Sequence, residues 1–147
     1  MLQGLRKIKN IDYAPTGMEM QFIRADIKEG GSSFYFMTGI PGVKMYGKAE
    51  YLKIEKPNLI VYKQHFADEN ENLSRHPLAP TWPSSMLTMV KLTEESPGKT
   101  RVTIAWEPCD NFGAEELQTF IKGRGGMTQG WTGSFDKLGD YLEAIIN

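Results

Sequence analysis

The residues whose chemistry asks first for a reading are two histidines, one cysteine, a glycine cluster and an acid-rich run. His65 and His76 flank the start and the middle of a proline-rich stretch. A zinc site needs several His, Cys or carboxylate ligands at short fixed spacings, and neither histidine has such companions. Solvent-facing or loop-anchoring histidines are expected, with no metal. Cys109 has no flanking histidine and no nucleophile signature, so an inert thiol is expected. Gly123, Gly125 and Gly126 in "GRGG" fit neither the dinucleotide nor the P-loop pattern, and no strand immediately precedes them. They predict a helix kink. "DENEN", Asp68 to Asn72, reads as a solvated loop, with a weak cation site as the open alternative. No nucleophile–base pair is recognisable. No catalytic residue and no cofactor are therefore assigned, and the chain reads as non-enzymatic.

The candidate site that remains is apolar. Met20, Phe22, Phe34, Phe36, Tyr51, Tyr62, Met86, Trp106, Trp131 and Phe135 are many large, soft side chains for one small domain. Methionine adapts to varied partners, and ligand pockets are apolar with a few placed polar groups. These residues are assigned as the lining of a ligand cavity. A plain hydrophobic core at strand and helix spacing is the other open reading. Arg24, Asp26 and Glu107 either orient a ligand or form surface pairs. A register error of one residue would exchange the faces of a strand and its part of this list.

The elements that must position these side chains follow from periodicity. "MEMQFIRADI" (18–27) alternates as a strand does. "SFYFMTG", "KMYGKAEYLKIEKP" and "LIVYKQHFAD" follow, each separated by turn chemistry. Gly47 marks a bulge or a close approach. The loop "ENENLSRHPLAPTWPSS" is long enough to suggest a functional or lid-like role. "MLTMVKLTEE" and "KTRVTIAWEP" flank "SPG" as a hairpin. The character then changes. "GAEELQTFIKG" is helical, and from Met127 a longer helix carries Trp131, Phe135, Leu138, Leu142 and Ile145 as an apolar stripe. Gly130, Gly133 and Gly139 lie in that helix, where glycine costs roughly 1 kcal/mol relative to alanine. They are expected to permit a close approach to the sheet. Six strands followed by a helix imply an α+β fold, with the helix laid across an antiparallel sheet.

Bulk properties bound the function. The chain has 147 residues, 40% hydrophobic and 24% charged, with a net charge of −1. One globular domain over 1–147 is expected, with no global field favouring nucleic acid. No apolar run approaches the roughly 18 residues of a membrane span. "MLQGLRKIKNIDYAP" has no apolar export segment, and one cysteine precludes an internal disulfide, so a cytoplasmic location is expected.

"GWTGSFDKLGDYL", following the hairpin "MLTMVKLTEESPGKTRVTIAW", resembles the homologues of the activator of heat-shock protein 90 ATPase, in the START-like (SRPBCC) superfamily. "ADIKEGGSSFYF", "YLKIEKPNLIVY" and "RHPLAPTWPSSM" resemble further segments of that family, in the same order, over roughly residues 14 to 146. Lys53 stands where an acidic residue is common. The resemblance implies a helix-grip: a curved antiparallel sheet of about six strands packed around a long C-terminal helix, with an apolar cavity between them. It also implies an opening strand and first helix that this sequence lacks, leaving residues 1–15 as a remnant. An edge left uncovered there would favour a homodimer. Three functions follow from the resemblance. The first is non-catalytic binding of a small hydrophobic or amphipathic molecule. The second is a chaperone-cofactor role, for which relatives carry an additional N-terminal domain absent here. The third is a cyclase- or hydrolase-like enzyme.

Overall fold

The computed structural model describes residues 16–146. The N-terminal remnant, and the dimer contact expected through it, lie outside those residues. Six strands form one antiparallel sheet: β1 (Glu19–Ala25), β2 (Ser32–Thr38), β3 (Met45–Glu55), β4 (Leu59–Ala67), β5 (Ser85–Ser96) and β6 (Lys99–Pro108). Their spatial order is β1-β2-β3-β4-β5-β6. Every neighbour in the sheet is thus a neighbour in sequence, which is what short turns between alternating segments favour. One helix, α1 (Ala114–Ile146), completes the α+β helix-grip.

The register sorts the side chains into two faces. Phe22, Tyr35, Gly47 and Phe66 lie in one row across β1 to β4. Ser33, Ala49, Gln64, Met86 and Pro108 form a second row on the same face, and Tyr51, Tyr62, Thr88 and Trp106 a third. This face meets the helix: Met86 is buried with Trp82 and Phe120, and Phe66, Ala79, Trp106 and Met127 pack around them. We call it the inner face. The alternate row, Arg24, Phe34, Lys48, His65 and Ser85, belongs to the outer face.

The "GRGG" segment does not kink the chain. α1 runs unbroken for 33 residues, where two helices with a break between them are the sequence expectation. At about 1.5 Å per residue it is about 50 Å long. Six strands at about 4.8 Å separation are only about 24 Å wide. The helix therefore overhangs. Phe120 sits against Trp82 near β5, and Lys137 Nζ donates to the carbonyl of Met18 just before β1, at 3.0 Å. Beyond that point Leu142, Ile145 and Ile146 are exposed, the last at 80%. The expected stripe thus stops docking where the sheet ends.

Two helical glycines answer to close approach. A Cβ at Gly123 would lie 2.7 Å from Trp82 Cζ3, and one at Gly133 would lie 2.6 Å from Thr16 Oγ1. Gly125, Gly126 and Gly139 have nothing within 4 Å. The two kinds should respond oppositely to alanine. Gly126→Ala is expected to stabilise by up to about 1 kcal/mol through helix propensity. Gly123→Ala is expected to destabilise by about 1–3 kcal/mol through overpacking. Parallel urea melts check this; stabilisation by both would show that Trp82 does not press on the helix.

The long loop is not a free lid. It turns back at Asp68–Asn72, crosses to the inner face and buries Trp82. Arg75 pairs with Glu116 at 2.8 Å, and Thr119 donates to Thr81 at 3.0 Å. The loop thereby holds the first turns of α1. Glu115 and Glu116 in that first turn oppose the positive end of the helix dipole.

Candidate functional site

The centre of the inner face carries hydroxyls among apolar side chains. Ser33 Oγ lies 2.9 Å from the Tyr51 hydroxyl. Gln64 Nε2 donates to the Tyr35 hydroxyl at 2.6 Å. Tyr62 bonds Thr88. Phe22 meets Tyr35 edge-on, with ring centroids 5.9 Å apart, and Tyr51 and Tyr62 lie 6.1 Å apart. Burial raises Tyr35, Tyr62 and Tyr51 above the ordinary tyrosine range, because a phenolate would lose its water. These groups stay neutral at any physiological pH. The three rows joining β2, β3 and β4 on this face, from Tyr35 to Tyr62, carry hydroxyls, one amide and apolar groups, with no carboxylate or cation among them. Such a surface can orient a neutral polar group; it offers no acid–base pair. Trp106 Nε1 adds a buried donor with no hydrogen-bond partner among the described residues.

Two places hold α1 over this surface. One is Phe120 and Gly123 against Trp82; the other is Gly133 against Thr16 and Lys137 on Met18. Of the helix residues described, only Phe120 and Gly133 are buried. Trp131, between the anchors, stacks on Phe135, within the second anchor, at 5.8 Å, and both are half-buried.

The residues assigned from sequence separate as follows. Met20, Phe22, Tyr51, Tyr62, Met86 and Trp106 share the inner face. Trp131 and Phe135 are on α1. Phe34 and Phe36 are corrected to the outer face, where Phe34 stacks on Tyr46 at 5.7 Å and Lys44 Nζ sits 4.0 Å above the Phe36 ring. In their place β2 presents Ser33, Tyr35 and Met37 inward. The strand is apolar on both faces, so alternation could not choose between them. Ser33, Tyr35, Gln64 and Thr88 were missed; polar residues at period two within aromatic strands are the signal that carries them.

The outer face differs in kind. A groove of about 740 Å³ lies over the ends of β3, β4 and β5, lined by Lys48, Glu50, His65, Glu71, Arg75, Ser85, Asp110 and their neighbours. Asp68 caps the amides of Asn70 and Asn72 at 2.9 Å, and Glu71 accepts two bonds from Arg24. "DENEN" is solvent-exposed at Glu69, Asn70 and Asn72, as expected, and is strapped to the sheet through Glu71. The Arg24 guanidinium, chiefly by hydrogen bonding, holds the Glu71 carboxyl down at about 2. His76 anchors the loop: its Nδ1 accepts from Leu78 N at 3.0 Å, and burial lowers its pKa. Burial raises the Cys109 thiol, which leaves it a poor nucleophile. His65 is not solvent-facing. Its Nδ1 lies 2.6 Å from Ser85 Oγ and its Nε2 lies 3.1 Å from Glu50 Oε2.

The family profile described as "Activator of Hsp90 ATPase homolog 1-like protein" matches residues 13–143. The chain belongs to this family. Solved structures agree with the family's fold. The Ms6760 protein from Mycobacterium smegmatis is 25% identical, with a TM-score of 0.69, over 93% of this chain and 76% of that one. A protein from Arthrobacter aurescens is 25% identical with a TM-score of 0.63; the alignment covers 84% of this chain and 64% of that one. The AHSA1 protein from Silicibacter pomeroyi, at 15% identity, a TM-score of 0.60 and coverage of 95% and 83%, shares the fold. A comparison with curated proteins gave no match. No helix among the described residues is long and apolar enough to cross a membrane.

Proposed function

We propose that this family member binds a small hydrophobic or amphipathic molecule between the inner face and α1, without transforming it. The observation that carries the reading is the helix itself. It crosses the sheet on two anchors, yet fully buries only Phe120 and Gly133 among its described residues, while Trp131 and Phe135 are half-buried. A helix serving only as core would bury its whole apolar stripe. Beneath it lie neutral hydroxyls in apolar surroundings, the composition of a ligand site. Trp106 Nε1 is the kind of orphaned donor that a ligand oxygen would satisfy.

The test is a thermal-shift and native mass spectrometry screen with fatty acids, sterols and aromatic metabolites, reading tryptophan emission in parallel. A ligand at a hundred times its Kd adds about 2.7 kcal/mol of stability. For a domain of this size that raises Tm by roughly 5–10 °C. A hit should also be weakened at least tenfold by Tyr51→Ala. If no compound class shifts Tm and none perturbs the emission, the reading fails.

A further inference from the structure

We propose that Ser85, His65 and Glu50 on the outer face form an acyl-transfer site that hydrolyses small, uncharged esters. The site is separate from the inner face and does not depend on it. The three residues come from adjacent strands, β5, β4 and β3. His65 and Ser85 are direct cross-strand partners, and Lys48 is the partner of His65 on the other side. The register therefore fixes the three side chains on one surface. His65 Nδ1 sits 2.6 Å from Ser85 Oγ, and Nε2 sits 3.1 Å from Glu50 Oε2. A neutral imidazole has one donor and one acceptor nitrogen. The carboxylate can only accept, so it selects the tautomer with the proton on Nε2. That leaves Nδ1 as the acceptor facing the serine hydroxyl. A nucleophile, a base and a group that orients the base are the recurring parts of such sites, recognised by geometry rather than by sequence order.

The surroundings fit this role. Glu50, His65 and Ser85 all line the open groove of about 740 Å³, so a substrate can reach them from solvent. Ser85 is only 5% exposed, which restricts attack to a small acyl group delivered along the groove. Lys48 lines the same groove and lies 3.8 Å from Glu50 and 3.5 Å from Glu71. Lys48 stands across His65 from Ser85 in the same cross-strand row, so its ammonium acts on the Glu50 carboxylate that orients the imidazole rather than on the reacting carbonyl.

In the first half-reaction Ser85 Oγ attacks the ester carbonyl carbon and its proton passes to His65 Nδ1. The tetrahedral adduct collapses, the bond to the alcohol oxygen breaks, and the Nδ1 proton leaves with the alcohol. In the second half-reaction a water attacks the acyl-serine and gives its proton to Nδ1. The bond to Oγ breaks, the carboxylic acid departs, and the proton returns to Ser85. Glu50 stays hydrogen-bonded to His65 Nε2 throughout as a positioning residue.

The experiment uses the full chain with a fluorophosphonate probe and with p-nitrophenyl acetate. One adduct per chain is expected, mapped by peptide mass spectrometry to Ser85, with slow esterase turnover. Ser85→Ala should abolish labelling, and His65→Gln should lower kcat about 100-fold or more. Glu50→Gln should lower kcat with KM unchanged, and Glu50→Asp should restore part of it, which a purely structural role would not do. No adduct on the unmodified chain, or one on Ser84 or elsewhere, overturns the proposal. Both outcomes are read without relying on any variant to fold.

Discussion

Trp82→Ala is expected to lower stability by about 3–5 kcal/mol, the range for removing a large aromatic from a core. The reason is its position rather than its size alone. Trp82 belongs to a loop, yet it is buried between Met86 of β5 and Phe120 of α1. Its ring meets Phe120 at 5.8 Å edge-on, and it presses on Gly123 closely enough to exclude a methyl group. Among the described residues, this cluster is the buried apolar contact joining the sheet to the first half of the helix. Removing the ring opens a cavity at that junction and loosens the loop that carries it. With an m-value of about 2 kcal/mol/M, the urea midpoint should fall by roughly 2 M. Amide exchange should accelerate most between Phe120 and Met127, because those turns lose their anchor. A loss below about 1 kcal/mol would mean that the helix is held by something other than this cluster.

The sequence made some of this legible. Alternation and turn chemistry were enough for six strands in order, because each strand pairs with its neighbour in the chain. The change of period at Ala114 marked the helix. The helix glycines were readable as close approaches in principle, but which glycine faces what was not. Gly123 answers to Trp82, 41 positions earlier, while Gly126 answers to nothing. The faces of β2 were illegible for a different reason. Phe34, Tyr35, Phe36 and Met37 are large and apolar without interruption, so only the pairing with β3 decides that Tyr35 turns inward. The outer-face constellation was invisible for a third. Glu50, His65 and Ser85 are separated by 15 and 20 positions. No local spacing rule joins them, and they meet only because β3, β4 and β5 pair in this register.

Gly47→Ala is the substitution expected to disturb both the fold and the inner-face site. Gly47 lies between Tyr35 and Phe66 in the same row of the sheet. The Tyr35 ring occupies the space a side chain would need. A Cβ at Gly47 would stand 2.7 Å from Tyr35 Cε2 and nearer still to Cζ. The ring cannot simply swing away, because it is buried and its hydroxyl accepts from Gln64 at 2.6 Å. The methyl group therefore forces either strain of about 1–3 kcal/mol or loss of the Gln64 bond, worth about 1–3 kcal/mol once a buried amide is left unpaired. By either route a loss of about 1–3 kcal/mol is expected in urea melts. Tyr35→Phe separates the two contributions, since it removes the hydroxyl and keeps the ring. A double-mutant cycle decides the cause: if the clash is with Tyr35, adding Tyr35→Ala to Gly47→Ala should cost at least about 1 kcal/mol less than Tyr35→Ala costs alone. Strict additivity would place the damage in the β3 backbone instead. The same cycle bears on ligand binding, because Tyr35 is the hydroxyl that Gln64 holds at the centre of the inner face. A carrier that uses that surface should lose affinity in Gly47→Ala even under conditions where the variant is fully folded.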